Sequence, residues 1–131
     1  MNARMSRAHA AMGDALLNLG SLEAARAAYE AEPVADFRLT GLAILEHRSG
    51  NSDAARAALA LLVAELGDRV LYQQVQILAQ LGESESAIER LLKAHASGDS
   101  GLIYARNDPF LDPLRGDPRV VGLLAQIGFT A

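Results

Sequence analysis

Three glycines, Gly20, Gly50 and Gly82, recur at nearly equal intervals along this chain, and each is followed by a polar residue. Helices commonly end on a residue in the left-handed conformation, which glycine adopts without steric cost; the next helix then opens on a side chain that can take up free N–H groups. The same stop-and-start grammar stands at Gly20-Ser21, Gly50-Asn51-Ser52, Gly67-Asp68, Gly82-Glu83-Ser84, Gly98-Asp99-Ser100 and Gly116-Asp117. Pro33 adds a boundary by disfavouring helix at Glu32, with Asp36 as the expected cap of the helix that follows. The segments between these points read as helices over 4–18, 22–31, 37–48, 53–66, 69–81 and 84–96, a short one near 101–106, a turn near 113–115 and a last helix over 118–127.

Superposing the three glycines brings Ala25, Ala55 and Ala87 together five residues on, and Tyr29, Leu59 and Leu91 together nine on. Upstream, Gly13, Ala43 and Val75 coincide, as do Leu16, Glu46 and Leu78, with Glu46 out of character. Apolar stripes agree with the register. Ala55, Leu59, Leu62 and Leu66 share one face of their helix, and Leu71, Val75 and Leu78 share one face of theirs. A helix pair with one such stripe cannot cover itself, so neighbouring pairs must share a core, and the small residue at 25, 55 and 87 allows close approach. Half of the residues are apolar, but alanine carries much of that share and there is no Trp, which suits close-packed helices rather than a β-sheet. At 131 residues the chain is one domain's worth.

Several function classes drop out on composition. A net charge of −4 and a pI near 5.3 give no phosphate-tracking face, so direct nucleic-acid binding is not expected. Without cysteine there is no disulfide framework and no thiol chemistry. The first twenty residues lack the unbroken apolar core of a signal peptide, and no stretch approaches the apolar length of a membrane span. The expected compartment is the cytoplasm, or the periplasm if the chain is attached to a membrane-spanning regulator.

Near the end stands LIYARNDPFLDPLRGDPR, residues 102–119, with three Asp-Pro steps. In each, Asp can accept from the N–H groups of a starting helical turn, and Pro supplies a preset φ where no donor is needed. Arg115 and Arg119 lie near these carboxylates in sequence, so an internal network of salt bridges and caps is expected. The string resembles the segment that closes the tetratricopeptide-repeat (TPR) regions of bacterial multidomain signalling proteins, with Phe110 one place earlier than their aromatic. The glycine offsets resemble the TPR pattern too, at a slightly shorter period.

That resemblance implies an all-α, right-handed α-α superhelix, a TPR-like solenoid of three helix pairs over approximately 4–33, 36–66 and 68–97, closed by a capping segment over 99–131, the whole forming a single domain. It implies a non-catalytic protein-interaction or scaffolding role, as the C-terminal part of a bacterial signalling or transcriptional regulator, with a protein or peptide partner and no cofactor. The first helix of each pair would line a concave groove. Its candidate contacts are Arg7 and Asn18; Phe37, Thr40, Ile44, His47 and Arg48; and Arg69, Tyr72, Gln76 and Gln80. Ala10 and Asp14 stand where chaperone-binding TPRs carry the first two residues of a carboxylate clamp, so that specificity is not implied. Self-association through the first helix, with Met5 and Met12, is the alternative.

Catalytic constellations are wanting. His9, His47 and His95 are far apart in sequence, and neither His9 nor His47 has a His, Asp or Glu four residues on, as helical metal sites favour; His95 has Asp99 there, but beyond the Gly98 helix stop. Glu83, Glu85 and Glu89 cluster near a helix start, where carboxylates favour the macrodipole without any metal. Residues 97–101, Ser-Gly-Asp-Ser-Gly, lack the lysine of a phosphate loop and read as turn and cap. No catalytic, metal or cofactor residue is assigned.

Overall fold

The computed structural model describes the backbone of residues 3–130 and the side chains of residues 8–127. Among them, α-helices run as α1 (Ala3–Asn18), α2 (Leu22–Ala31), α3 (Ala35–Arg48), α4 (Ser52–Leu66), α5 (Leu71–Gln80), α6 (Ser84–Ser97) and α7 (Pro118–Thr130). Tighter 3-10 segments occupy Gly67–Val70, Ser100–Asn107 and Pro109–Leu114. No strand occurs among the described residues. The fold is all-α and TPR-like, built from packed helix pairs, and its contacts divide it into two compact units, Met1–Leu66 and Gly67–Ala131.

The three aligned glycines close their helices in one way. Gly20 donates to the carbonyl of Leu17 and Ser21 to that of Leu16; Gly50 and Asn51 do the same to His47 and Glu46, and Gly82 and Glu83 to Ala79 and Leu78. This double bond pattern needs a positive φ, which is 83°, 85° and 83° at the three positions. Gly116 is different. It is not among the positive-φ glycines, and its turn closes by Asp117 donating to the carbonyl of Leu114.

In the first unit α1 pairs with α2 and α3 with α4, while α3 also packs on α2 and α1. Ala25 and Ala55 are fully buried, and Leu17, Tyr29, Ala43, Leu45 and Leu62 are buried with them in the core of this unit. Glu46, the residue that breaks the apolar register, is held at the edge by Arg26 at 2.7 Å and by the Asn51 amide at 3.1 Å.

In the second unit α5 pairs with α6, and the chain then returns so that Pro109–Leu114 and Ser100–Asn107 pack on α5, while α7 packs on α6 and on Ser100–Asn107. Ala87, Leu91, Val75 and Leu78 are buried at their aligned positions, and Phe110, Leu111, Leu114, Val120 and Leu123 complete the core.

Three local expectations need correction. Helix α3 begins at Ala35, its preceding residue Val34 makes no side-chain cap, and Asp36 instead accepts from the N–H of Phe37 at 2.9 Å. Helix α5 begins at Leu71 because Gly67–Val70 forms a 3-10 turn, held by the buried Gln74 amide donating to the carbonyl of Gly67 at 2.8 Å. Ser21 and Glu83 make no side-chain cap bond, so the glycine half of the boundary grammar operates there without the polar half.

Candidate functional site

In the first unit the α1 and α3 faces are spaced by one ring. Tyr29 reaches from α2 between Gly13 of α1 and Gly41 of α3, and a methyl group on either glycine would collide with it. Its hydroxyl donates to Asp14 Oδ1 at 2.6 Å. Burial pushes the Tyr29 phenol well above its ordinary value, and the Asp14 carboxylate adds to the rise, so the hydroxyl keeps its proton and the bond persists.

At the end of this face Arg48 donates to the Leu17 carbonyl at 3.3 Å and to Asn18 Oδ1 at 3.2 Å, tying α3 to the end of α1. Asn18 is exposed, and Phe37, His47 and Arg48 are half-buried. His47 Nδ1 lies 3.0 Å from Ser52 Oγ, a hydroxyl and not a carboxylate. Thr40 and Ile44 are buried and offer no surface; the Thr40 hydroxyl donates to the Asp36 carbonyl at 2.7 Å. The side chain of Arg7 lies outside the described residues, as does that of Met5.

Sequence reasoning missed Glu32. Its carboxylate is 1% exposed, accepts from the Ala10 N–H at 3.0 Å and from the Val34 N–H at 3.1 Å, and so locks the turn into α3 against α1. Arg38 donates to its carbonyl at 2.8 Å. The available signal was a carboxylate directly before Pro33 and just ahead of α3, whose first N–H groups have no helical partner.

In the second unit Tyr72, Gln76 and Gln80 fall four residues apart and share one face of α5. The Tyr72 hydroxyl and the Gln76 amide both donate to Asp108 Oδ2, at 2.6 and 2.7 Å, and the Gln80 amide donates to the Phe110 carbonyl at 2.9 Å. Asp108 is buried, and its Oδ1 caps the following 3-10 turn by accepting from the Phe110 N–H at 2.9 Å. Asp99 does similar double duty, accepting from the N–H groups of Tyr72 and Gly101. Of the α5-side candidates, three therefore hold the chain's own Asp-Pro segment. Arg69 instead lies exposed in the 3-10 turn before α5.

The other Asp-Pro steps divide the same labour. Asp112 accepts from Arg115 Nε at 2.8 Å, while the other end of that guanidinium donates to the carbonyls of Ala105 and Asp108. Asp117 caps α7 by accepting from the Arg119 N–H, and Arg119 spans Asp117 and Glu85. The Arg119 guanidinium, chiefly through its hydrogen bonds, holds the Glu85 and Asp117 carboxyls below their ordinary values. A carboxyl lowered in the folded state stabilises fully above the ordinary carboxylate range near pH 4 and loses that contribution as pH falls through the lowered value. Arg119→Gln should therefore lower the melting temperature slightly at pH 7 and low salt. The deficit should vanish once the pH is low enough to protonate both carboxyls and shrink in 1 M salt, because these groups face solvent. Melts of both chains across pH and salt check this.

This chemistry binds and positions backbone and carboxylate groups. Among the described residues no three His, Cys, Asp or Glu side chains gather as metal ligands, and no helix is long and apolar enough to cross a membrane.

No curated protein and no solved structure matches the chain. A family model described as Tetratricopeptide repeat matches residues 6–31, which span the greater part of α1 and all of α2. That match, with the paired helices and their shared glycine closures, supports a TPR domain, a kind of module that generally binds proteins without catalysis.

Proposed function

We propose that this chain is a non-catalytic protein-interaction domain that captures a peptide segment on the α1/α3 face of its first unit, and that it serves as the C-terminal part of a bacterial signalling or transcriptional regulator. The carrying observation is the Arg48 guanidinium, fixed by Leu17 and Asn18 at the end of α3, a helix that carries half-buried Phe37 about three turns earlier and half-buried His47 next to Arg48. A guanidinium can pair with a peptide carbonyl or carboxylate, and an aromatic ring with an apolar side chain. Arg69 stands as a further candidate contact on the second unit, and Arg7 remains a candidate on α1. The regulator assignment rests on the Asp-Pro string alone, and the coding sequence upstream tests it by the presence or absence of an effector domain.

Selecting a random peptide library on the folded chain tests the face. Arg48→Ala and Phe37→Ala should each weaken selected peptides by about tenfold, the effect of one good charged or aromatic contact. Peptides that bind both variants as they bind the parent chain would overturn the assignment.

Self-association remains a second reading because α1 leaves Met12 59% exposed. A concentration-dependent dimer in sedimentation, abolished by Met12→Asp, would favour it; a monomer at all concentrations would remove it.

A further inference from the structure

The second unit carries a recognition surface that is already occupied. Tyr72, Gln76 and Gln80 rise along one face of α5, and all three donate to residues 108–110 of the same chain: two bonds to a carboxylate oxygen and one to a backbone carbonyl. The occupant has its own internal bonds. Asp108 caps the Phe110 N–H, and Arg115 donates to the Asp108 carbonyl at 2.6 Å, so the turn is held in shape by bonds that do not involve α5. Its apolar side, Phe110, Leu111 and Leu114, is buried.

A preshaped turn bound through side-chain donors to one carboxylate and one carbonyl has the chemistry of a receptor and its ligand rather than of two halves of one helix pair. We propose that the Tyr72–Gln76–Gln80 face is a receptor for Asp-Pro-aromatic turns, filled in cis by residues 108–114. A separate peptide of that chemistry binds there once the cis segment is released. The inference rests on reading the helix pairs as peptide-binding elements, but not on the α1/α3 face of the first unit, and either can fail alone.

The probe is the peptide of residues 107–115, Asn-Asp-Pro-Phe-Leu-Asp-Pro-Leu-Arg, labelled with fluorescein, titrated with the full chain bearing Asp108→Ala and Phe110→Ala. Saturable anisotropy should appear with this variant and be at least about tenfold weaker with the wild-type chain, whose own segment competes at an effective concentration in the millimolar range. Changing the peptide's first Asp to Asn should weaken binding about tenfold, the usual effect of losing a charge-assisted acceptor. Adding Gln76→Ala to the variant should weaken it as well.

Equal affinity for variant and wild type, or indifference to the Asp, overturns the proposal. Should the variant lose its helical circular dichroism, native-state hydrogen exchange of the wild-type chain decides. The Phe110 and Leu111 amides should open in a step that leaves α5 and α6 protected; exchange only with global unfolding makes the segment ordinary core and ends the idea.

Discussion

A chain carrying Asp108→Ala unfolds about 10 °C below the wild type, an expected loss of about 3 kcal/mol. Three donors converge on this carboxylate, from Tyr72, Gln76 and the Phe110 backbone, and truncation leaves all three without it in a buried setting. Bonds to a charged acceptor are worth roughly 1.5–3 kcal/mol each, but the charge itself costs energy to bury, so the net falls well short of three full bonds. Asp108→Asn separates the terms. It keeps the shape and one acceptor oxygen for Phe110, yet turns an NH2 group toward the Gln76 donor, and should lose about half as much. Urea unfolding followed by circular dichroism measures both, and an alanine variant within about 0.5 kcal/mol of wild type would show that apolar burial alone seats the segment.

The second large effect comes from adding a single methyl group at Gly41. In most helix interiors Gly→Ala stabilises by about 1 kcal/mol. At Gly41 the new Cβ meets the Tyr29 ring, which cannot retreat because it is fully buried, bonded to Asp14 and bounded on its other side by Gly13. Overpacking of this kind costs about 1–3 kcal/mol and forces neighbours to move, so Gly41→Ala should come out about 2 kcal/mol less stable. Gly122 in α7 supplies the control. It is exposed, nothing lies near its would-be Cβ, and Gly122→Ala should gain about 0.5–1 kcal/mol. Opposite signs from one chemical change isolate the steric term. Adding Tyr29→Ala should make Gly41→Ala nearly free of further cost, a coupling that a double-mutant cycle reads directly.

Helix positions were legible where a boundary repeats a local rule. Glycines 20, 50 and 82 announce a stop that depends only on their own φ, and the small residues at 25, 55 and 87 sit in the core where the repeat register puts them. What the sequence conceals is long-range pairing. Tyr72, Gln76 and Gln80 show the period of an amphipathic face but not what faces them, and their partners lie some thirty residues on. The Asp-Pro string could be read as a folded cap, yet nothing in local chemistry says that Asp108 turns its carboxylate onto α5. Glu32 stayed hidden for a similar reason, since its partner on α1 is 22 positions away. Thr40 and Ile44, which the family resemblance implies as groove contacts, are buried, because a shared repeat pattern gives a direction on the helix and not the depth of what covers it.

The distance in sequence between α5 and its covering turn also sets an order of events during synthesis. A chain emerges from the ribosome from its N-terminus at roughly 5–20 residues per second, and domains generally fold as they appear. Helices α5 and α6 can pair as soon as they are out, but the hydroxyl and amides on α5 must wait until residue 114 has cleared the exit tunnel. For those seconds the nascent second unit displays a bare strip beside apolar residues that Phe110 and Leu111 will later cover. A chain truncated within residues 98–107 should remain in that state, sensitive to protease and attractive to chaperones, while the first unit, already complete, resists both.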